Sequence, residues 1–172
     1  MPIQRVKPKF SDIKNVSIAA STLPAGSVIQ RVVHQEDGVT TFTASGTSEE
    51  LLIASNAADS TSHVSLSITP SATSSKVLIL VNTTGYNSAS GYTYYTIYRD
   101  SSNVASNSSV NELTAVYGDG GTSIVPLSMK FLDSPNTTSQ VTYQAYFKVQ
   151  NSTGYFNVNG NTGSIILMEI GA

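Results

Sequence analysis

The sequence contains no cysteine and no tryptophan, and only 12% of its 172 residues are charged, about half the usual share. Without cysteine there is no disulfide staple, no thiolate nucleophile and no thiolate metal ligand. A small disulfide-stapled secreted module is excluded, so stability has to come from core packing or from assembly. No apolar run approaches the ~18 residues of a membrane-spanning helix. The opening residues do not read as a signal peptide, because no basic start leads into an apolar stretch. Two histidines and few carboxylates leave little titratable chemistry.

Hydroxyls take the place of charge. Serine (27) and threonine (19) dominate the polar residues. Such a composition suits short strands with polar faces and many turns. The length suggests one domain, and a chain of this size buries roughly 70% of its unfolded surface.

The net charge of −2 is unevenly spread. Arg5, Lys7, Lys9 and Lys14 against Asp12 give residues 1–14 a charge of +3, which leaves −5 on the rest. Pro2, Pro8 and Pro24 interrupt residues 1–25. The helical spacing Ile3, Val6, Phe10, Ile13 has Pro8 in its middle, where proline costs about 3 kcal/mol. Residues 1–25 therefore read as an extended arm, with Arg5, Lys7, Lys9, Phe10 and Ile13 as its candidate anchoring residues. A basic arm of this kind docks on a partner or is simply a solvated tail.

From Gly26 onward the pattern is that of strands. Ser27 to Val33 is the first, followed by a polar turn, His34 to Gly38, with an Asp-Gly hairpin signal. Short strands follow at Val39 to Thr43 and Glu50 to Ala54. Val64, Leu66 and Ile68 alternate with serine and threonine, the period of a half-buried strand whose serines face solvent. Pro70 to Ser75 is a turn. Val77 to Val81 is an unbroken apolar run, as expected of a strand covered on both faces. Leu66 and Leu80 are expected in the core.

Gly91 to Asp100 places Tyr92, Tyr94, Thr96 and Tyr98 on one face and Thr93, Tyr95, Ile97 and Arg99 on the other. Aromatics on both faces point to a subunit interface, where tyrosine is enriched, or to a cross-strand tyrosine ladder on an exposed face. Tyr92, Tyr94, Tyr95, Tyr98 and Tyr146 are the candidate interface residues. Asn111 to Tyr117 is a strand, and Gly118 to Gly121 a loop. In Ile124 to Asp133, Val125, Leu127, Met129 and Phe131 share a face, and Pro126 marks an edge or a bulge because it cannot donate to a ladder. Val141, Tyr143, Ala145, Phe147 and Val149 form the cleanest apolar row. Ile165 to Ile170 closes the chain as a buried strand. About ten strands and no helix indicate an all-β antiparallel β-sandwich, with a jelly roll among the candidate forms.

Catalytic patterns are weak. His34, Glu36 and Asp37 lack a third metal-ligand motif, and His63 has no patterned partner. No serine sits in a G-x-S-x-G elbow. Gly118-Asp119-Gly120-Gly121 lacks the phosphate-binding spacing and a following helix. No cofactor is indicated. An acidic body with one basic arm argues against broad nucleic-acid binding. Tyr86, Asn87, Tyr117, Asp119, Tyr155 and Asn159 lie in or beside expected loops. They offer stacking and adaptable hydrogen bonds suited to recognition of a glycan or a protein.

The order of short motifs adds a resemblance. Gly26 to Gln30 (GSVIQ) is followed by Ser67 to Val81 (SITPSATSSKVLILV), Ile97 to Asp100 (IYRD), Phe131 to Pro135 (FLDSP), Thr142-Tyr143 and Ile165 to Ile170 (IILMEI). Together these resemble the small β-sandwich proteins of tailed-phage virions, of the tail-fibre head, capsid-fibre or decoration type. The resemblance covers residues 26–172. It implies a jelly roll of the tumour-necrosis-factor or C1q type, assembled as a homotrimer on a phage particle, with no catalytic residues. In that setting the basic arm (residues 1–25) is expected to anchor the chain to other virion proteins, and the head (residues 26–172) to contribute to host-surface recognition. Val77 to Val81 is then expected near the trimer axis or deep in the sandwich. A capsid cement protein is the alternative within the same class, and a polysaccharide depolymerase the alternative among enzymes.

Overall fold

The alternation of apolar and polar residues is realised as two antiparallel sheets packed face to face. The computed structural model describes residues 22–36, 42–44, 50–51, 65–104, 112–119, 123–151, 153–156 and 163–172. Twelve strands lie among them: β1 (Val28–Glu36), β2 (Phe42–Ala44), β3 (Glu50–Leu51), β4 (Ser65–Ile68), β5 (Lys76–Asn87), β6 (Gly91–Arg99), β7 (Ser102–Asn103), β8 (Thr114–Gly118), β9 (Val125–Asp133), β10 (Val141–Val149), β11 (Gly154–Phe156) and β12 (Gly163–Ile170). Among the described residues no helix is long and apolar enough to cross a membrane.

In the first sheet the order is β1-β12-β5, with β9 on the other side of β5 and β11 and β2 extending the far end. In the second, β10 pairs β6 on one side and β4 and β3 on the other, and β6 also pairs β8 and β7. The longer strands pair as a folded-over hairpin would. The first pairs the last (β1 with β12), β4 pairs β10, β5 pairs β9 and β6 pairs β8.

The core is the inward half of each alternation. Val77, Ile79, Val81, Leu127, Met129, Ile165 and Leu167 come from the first sheet, and Ile68, Tyr95, Ile97, Val141, Tyr143, Ala145 and Phe147 from the second. Tyr95 and Phe147 stack at 6.0 Å between centroids, and Phe156 meets Tyr95 from the opposite sheet at 6.1 Å. Burying each such side chain is worth about 1.5–3 kcal/mol.

Two polar clusters tie the sandwich together. Asp133 (β9) accepts from Arg99 Nη1 (β6) and from the Tyr143 hydroxyl (β10), both at 2.7 Å, so one carboxylate joins the two sheets. Burial and the Asp133 carboxylate push the Tyr143 phenol up, which keeps it a neutral donor. Burial opposes the Arg99 charge, but Asp133 more than offsets it and holds the guanidinium above its usual value. The fully buried Glu169 accepts from the Ser71 N–H (2.7 Å), the Ser71 hydroxyl (2.6 Å) and Gln30 Nε2 (2.7 Å). Burial pushes its carboxyl upward, yet these bonds outweigh that and hold it below its ordinary value.

Several expectations need correction. The polar turn at His34 begins too early, because His34, Gln35 and Glu36 pair with Ile165, Ser164 and Gly163. A partner strand long enough to continue the ladder overrides the local turn signal. Strand β5 runs past Val81 to Asn87, and within the chain only its inner face is buried. Leu78 and Leu80 alternate outward and are half-buried, so Leu80 is not a core residue. Leu66 is partly buried against the core. Ser65 and Ser67 are half-buried rather than open, and the Ser67 hydroxyl bonds Thr142 Oγ1 at 2.9 Å. Gly118 belongs to β8 and pairs with Gly91. A Cβ on Gly118 would lie 2.5 Å from the Ala89 carbonyl oxygen, so the tip of the β5–β6 hairpin closes only over a glycine.

Pro126 sits where expected. Among the described residues β9 pairs β5 alone, so the missing N–H falls on an edge strand.

Candidate functional site: the two outer sheet faces

With the inward residues spent on the core, the outward residues of the two sheets are what the molecule presents. On the first sheet the register aligns them in rows. Val33 lies beside Ile166, Ile166 beside Leu80, and Leu80 beside Lys130. Arg31 lies beside Met168, Met168 beside Leu78, and Leu78 beside Leu132. Val28 and Lys76 flank Ile170. Val28, Val33 and Leu132 are 52%, 44% and 49% exposed. This band is aliphatic, with Arg31, Lys76 and Lys130 at its margins.

The second sheet presents rings and amides. Tyr92, Tyr94 and Tyr98 project from β6, Tyr117 from β8, and Gln144, Tyr146 and Lys148 from β10. Tyr92 stacks on Tyr94 at 5.5 Å and meets Tyr117 edge-on at 4.9 Å. Lys148 Nζ lies 5.8 Å from the Tyr94 ring centroid and 2.5 Å from a Glu112 carboxylate oxygen. The charge of the lysine is thereby balanced locally. Tyr98 and Tyr146 form a separate pair at 4.1 Å. Thr96 shares this side but is buried, its hydroxyl bonded to Asn103 Oδ1 at 2.9 Å.

Four of the five candidate interface tyrosines thus lie on one face. Tyr95 does not. It is fully buried between the sheets and donates its hydroxyl to the Tyr155 carbonyl at 2.6 Å, and burial pushes its phenol up. Its neighbours in sequence belong to the opposite face, which period-two geometry dictates.

The candidate recognition loops are likewise divided. Tyr117 (57% exposed) and Asp119 are at the surface. Tyr86 and Tyr155 pair with each other at 5.1 Å on the far end of the first sheet. Asn87 is fully buried and structural. Its Nδ2 donates to Thr93 Oγ1 (3.0 Å) and its Oδ1 accepts from the Ala89 N–H (3.0 Å), which builds the hairpin tip. Asn159 and the arm residues Arg5, Lys7, Lys9, Phe10 and Ile13 lie outside the described residues, as do His63 and Asp37.

Sequence reasoning reached part of the aliphatic face, by reading Val77 to Val81 as covered on both faces, but did not single out Val33, Leu132, Ile166 and Met168 beside it. Its signal was present in the unbroken runs Val77 to Val81 and Ile165 to Met168, where the outward positions are as apolar as the inward ones.

Asp133 and Glu169 are committed to the structural bonds described above, Glu112 to Lys148, and Asp100 Oδ1 accepts from the Thr142 N–H at 2.9 Å. No group of three metal-ligating side chains occurs among the described residues. An open cavity of about 290 Å³ is lined by Leu23, Pro24, Ile29, Ser74, Ser75 and Gly171 among others, and among the described residues no titratable side chain lines it.

No protein-family model matches the chain, and no curated protein matches it. Among solved structures it is similar to a protein of the T13 viral particle of infectious bursal disease virus. The identity there is 11% and the TM-score 0.43, over 98% of this chain and 44% of that one. A mutant VP2 protein of the same virus, in derived T=1 particles, gives 12% identity and a TM-score of 0.40, over 99% of this chain and 41% of that one. The Gx strain gives 12% and 0.39, over 84% and 33%. The chain spans less than half the length of each of these structures.

Proposed function

We propose that this chain is a non-enzymatic virion structural protein, a jelly-roll head that assembles as a homotrimer through the outer face of its first sheet. The observation that carries this reading is the aliphatic band of Val33, Leu78, Leu80, Leu132, Ile166 and Met168. Four strands about 4.8 Å apart and about seven residues long span roughly 450 Å². Three such faces turned to a common axis bring together about 1,350 Å² in the trimer before side-chain relief, where ~1,000 Å² marks a specific contact between two partners. The folded-over pairing of β1 with β12, β4 with β10, β5 with β9 and β6 with β8 supports the jelly roll. The motif order supports the virion setting, of the tailed-phage type. Residues 1–25 serve as the anchor to other virion proteins, and the opposite end of the head meets the host surface.

Light scattering tests the assembly. The unaltered protein is expected to run as a trimer at micromolar concentration, and Met168→Lys with Leu78→Lys as a folded monomer. A monomer in both cases would remove the reading. Deleting residues 1–25 is expected to leave a folded head that no longer enters particles, whereas normal incorporation of the truncated protein would overturn the anchor. Particles lacking the protein that still adsorb normally but lose heat resistance would assign it to the capsid as cement.

A further inference from the structure

The second sheet's outer face has a chemistry unlike that of the first, and we propose that it binds a neutral oligosaccharide. The site is the line Tyr117, Tyr92, Tyr94, Lys148, which crosses β8, β6 and β10 in adjacent register positions. Aromatic rings carry a negative face, against which the C–H groups of a pyranose pack. The ring spacings of 4.9 and 5.5 Å are of the size of one sugar ring. Tyr92 and Tyr117 are 41% and 57% exposed, so their rings are open to a ligand.

The rim is polar. The exposed Gln150 holds Tyr92 in place, its N–H bonded to the Tyr92 carbonyl at 2.8 Å and its side-chain oxygen accepting from the Tyr92 N–H at 3.4 Å. Phenols and amides suit a polyhydroxylated ligand, which needs many hydrogen bonds without a dry surface. Lys148 is balanced by Glu112. Among the described residues, the line Tyr117, Tyr92, Tyr94, Lys148 therefore carries no unbalanced charge to favour an acidic sugar or an ionic protein partner. A protein partner finds its dry complement on the aliphatic face instead.

The inference supplies a ligand class for the recognition role proposed above, but the site lies within one chain and does not require the trimer. Saturation-transfer NMR with cellohexaose, maltohexaose and mannohexaose tests it on the full chain. Saturation is expected to reach ring protons of at least one of the three. The double change Tyr92→Ala with Tyr117→Ala is expected to weaken that binding about tenfold or more, and Tyr92→Phe with Tyr117→Phe to retain most of it. Light scattering on the same variants separates the two proposals. Lost binding with an unchanged assembly state supports the site, and so does lost binding in a protein that is monomeric throughout. No transfer to any of the three sugars, unchanged binding in the alanine variant, or dissociation of a trimer by that variant would overturn it.

Discussion

The two outer faces obey the same alternation rule and arrive at opposite chemistries. On the first sheet the outward positions of β5 and β12 include Leu78, Leu80, Ile166, Met168 and Ile170, bounded by Lys76, Asn82 and Ser164. On the second the outward positions of β6 and β10 are Tyr92, Tyr94, Tyr98, Gln144, Tyr146 and Lys148. The inward positions of both sheets are mostly apolar core, with buried polar groups such as Thr93, Asp133 and Glu169 among them. The difference teaches that the fold is written in one half of each strand and the role in the other half. Methyl groups stacked in rows exclude water and suit a dry protein contact, whereas phenols keep one end wet.

The sharpest way to break that division is within a single strand. Phe147 and Tyr146 are adjacent on β10 and face opposite ways. Phe147→Ala is expected to cost about 3–5 kcal/mol by denaturant unfolding, because it opens a cavity against Tyr95. Tyr146→Ala is expected to cost about 1 kcal/mol, the value of its pairing with Tyr98. Equal losses would mean that both faces are core.

The same contrast on β5 is smaller and has a second readout. Ile79→Ala is expected to cost about 2–4 kcal/mol in any assembly state. Leu80→Ala is expected to cost about 1 kcal/mol in a dilute monomer and more at concentrations where the protein assembles. A concentration-independent loss at Leu80 would detach the aliphatic face from assembly.

The smallest effect is electrostatic. The Glu169 carboxyl titrates below its ordinary value when folded. Its contribution is therefore present above the unfolded value of about 4.5 and is lost as pH falls through the lower folded value. Glu169→Gln is expected to flatten the fall in stability as pH drops below about 4.5, followed by chemical unfolding at each pH. An unchanged slope would assign the acid sensitivity to other groups.

The inward rows were legible in advance because period-two patterns need only local residues. Val141, Tyr143, Ala145, Phe147 and Val149 are buried without exception, and Leu127 and Met129 face inward as their spacing requires. Tyr95 was not legible as core, because aromatics occupy both faces of β6 and composition cannot rank them. The end of β1 was hidden for a different reason. The Asp-Gly signal is local, while the ladder that extends β1 comes from a strand more than a hundred residues away. The bond from Asp133 to Arg99 and the burial of Asn87 are long-range closures of the same kind. The aliphatic face was legible as apolar but not as outward, since an unbroken run does not say which half points in.

One feature near the start of the fold bears on mechanics. Gly26 N–H bonds the Gly171 carbonyl at 2.8 Å, and Gly171 N–H bonds the Ser27 carbonyl at 2.9 Å. The first strand is thus pinned at Gly26, where the proposed arm of residues 1–25 would join the body. The tip at Asn87 lies at the other end of β5, about 36 Å away at strand rise. Tension applied between an anchored arm and a load at that tip runs lengthwise along β1. The β1–β12 ladder is then loaded in shear, where its bonds resist together, rather than peeled open one after another. A head held by such a joint is expected to tear from its anchor before it unravels.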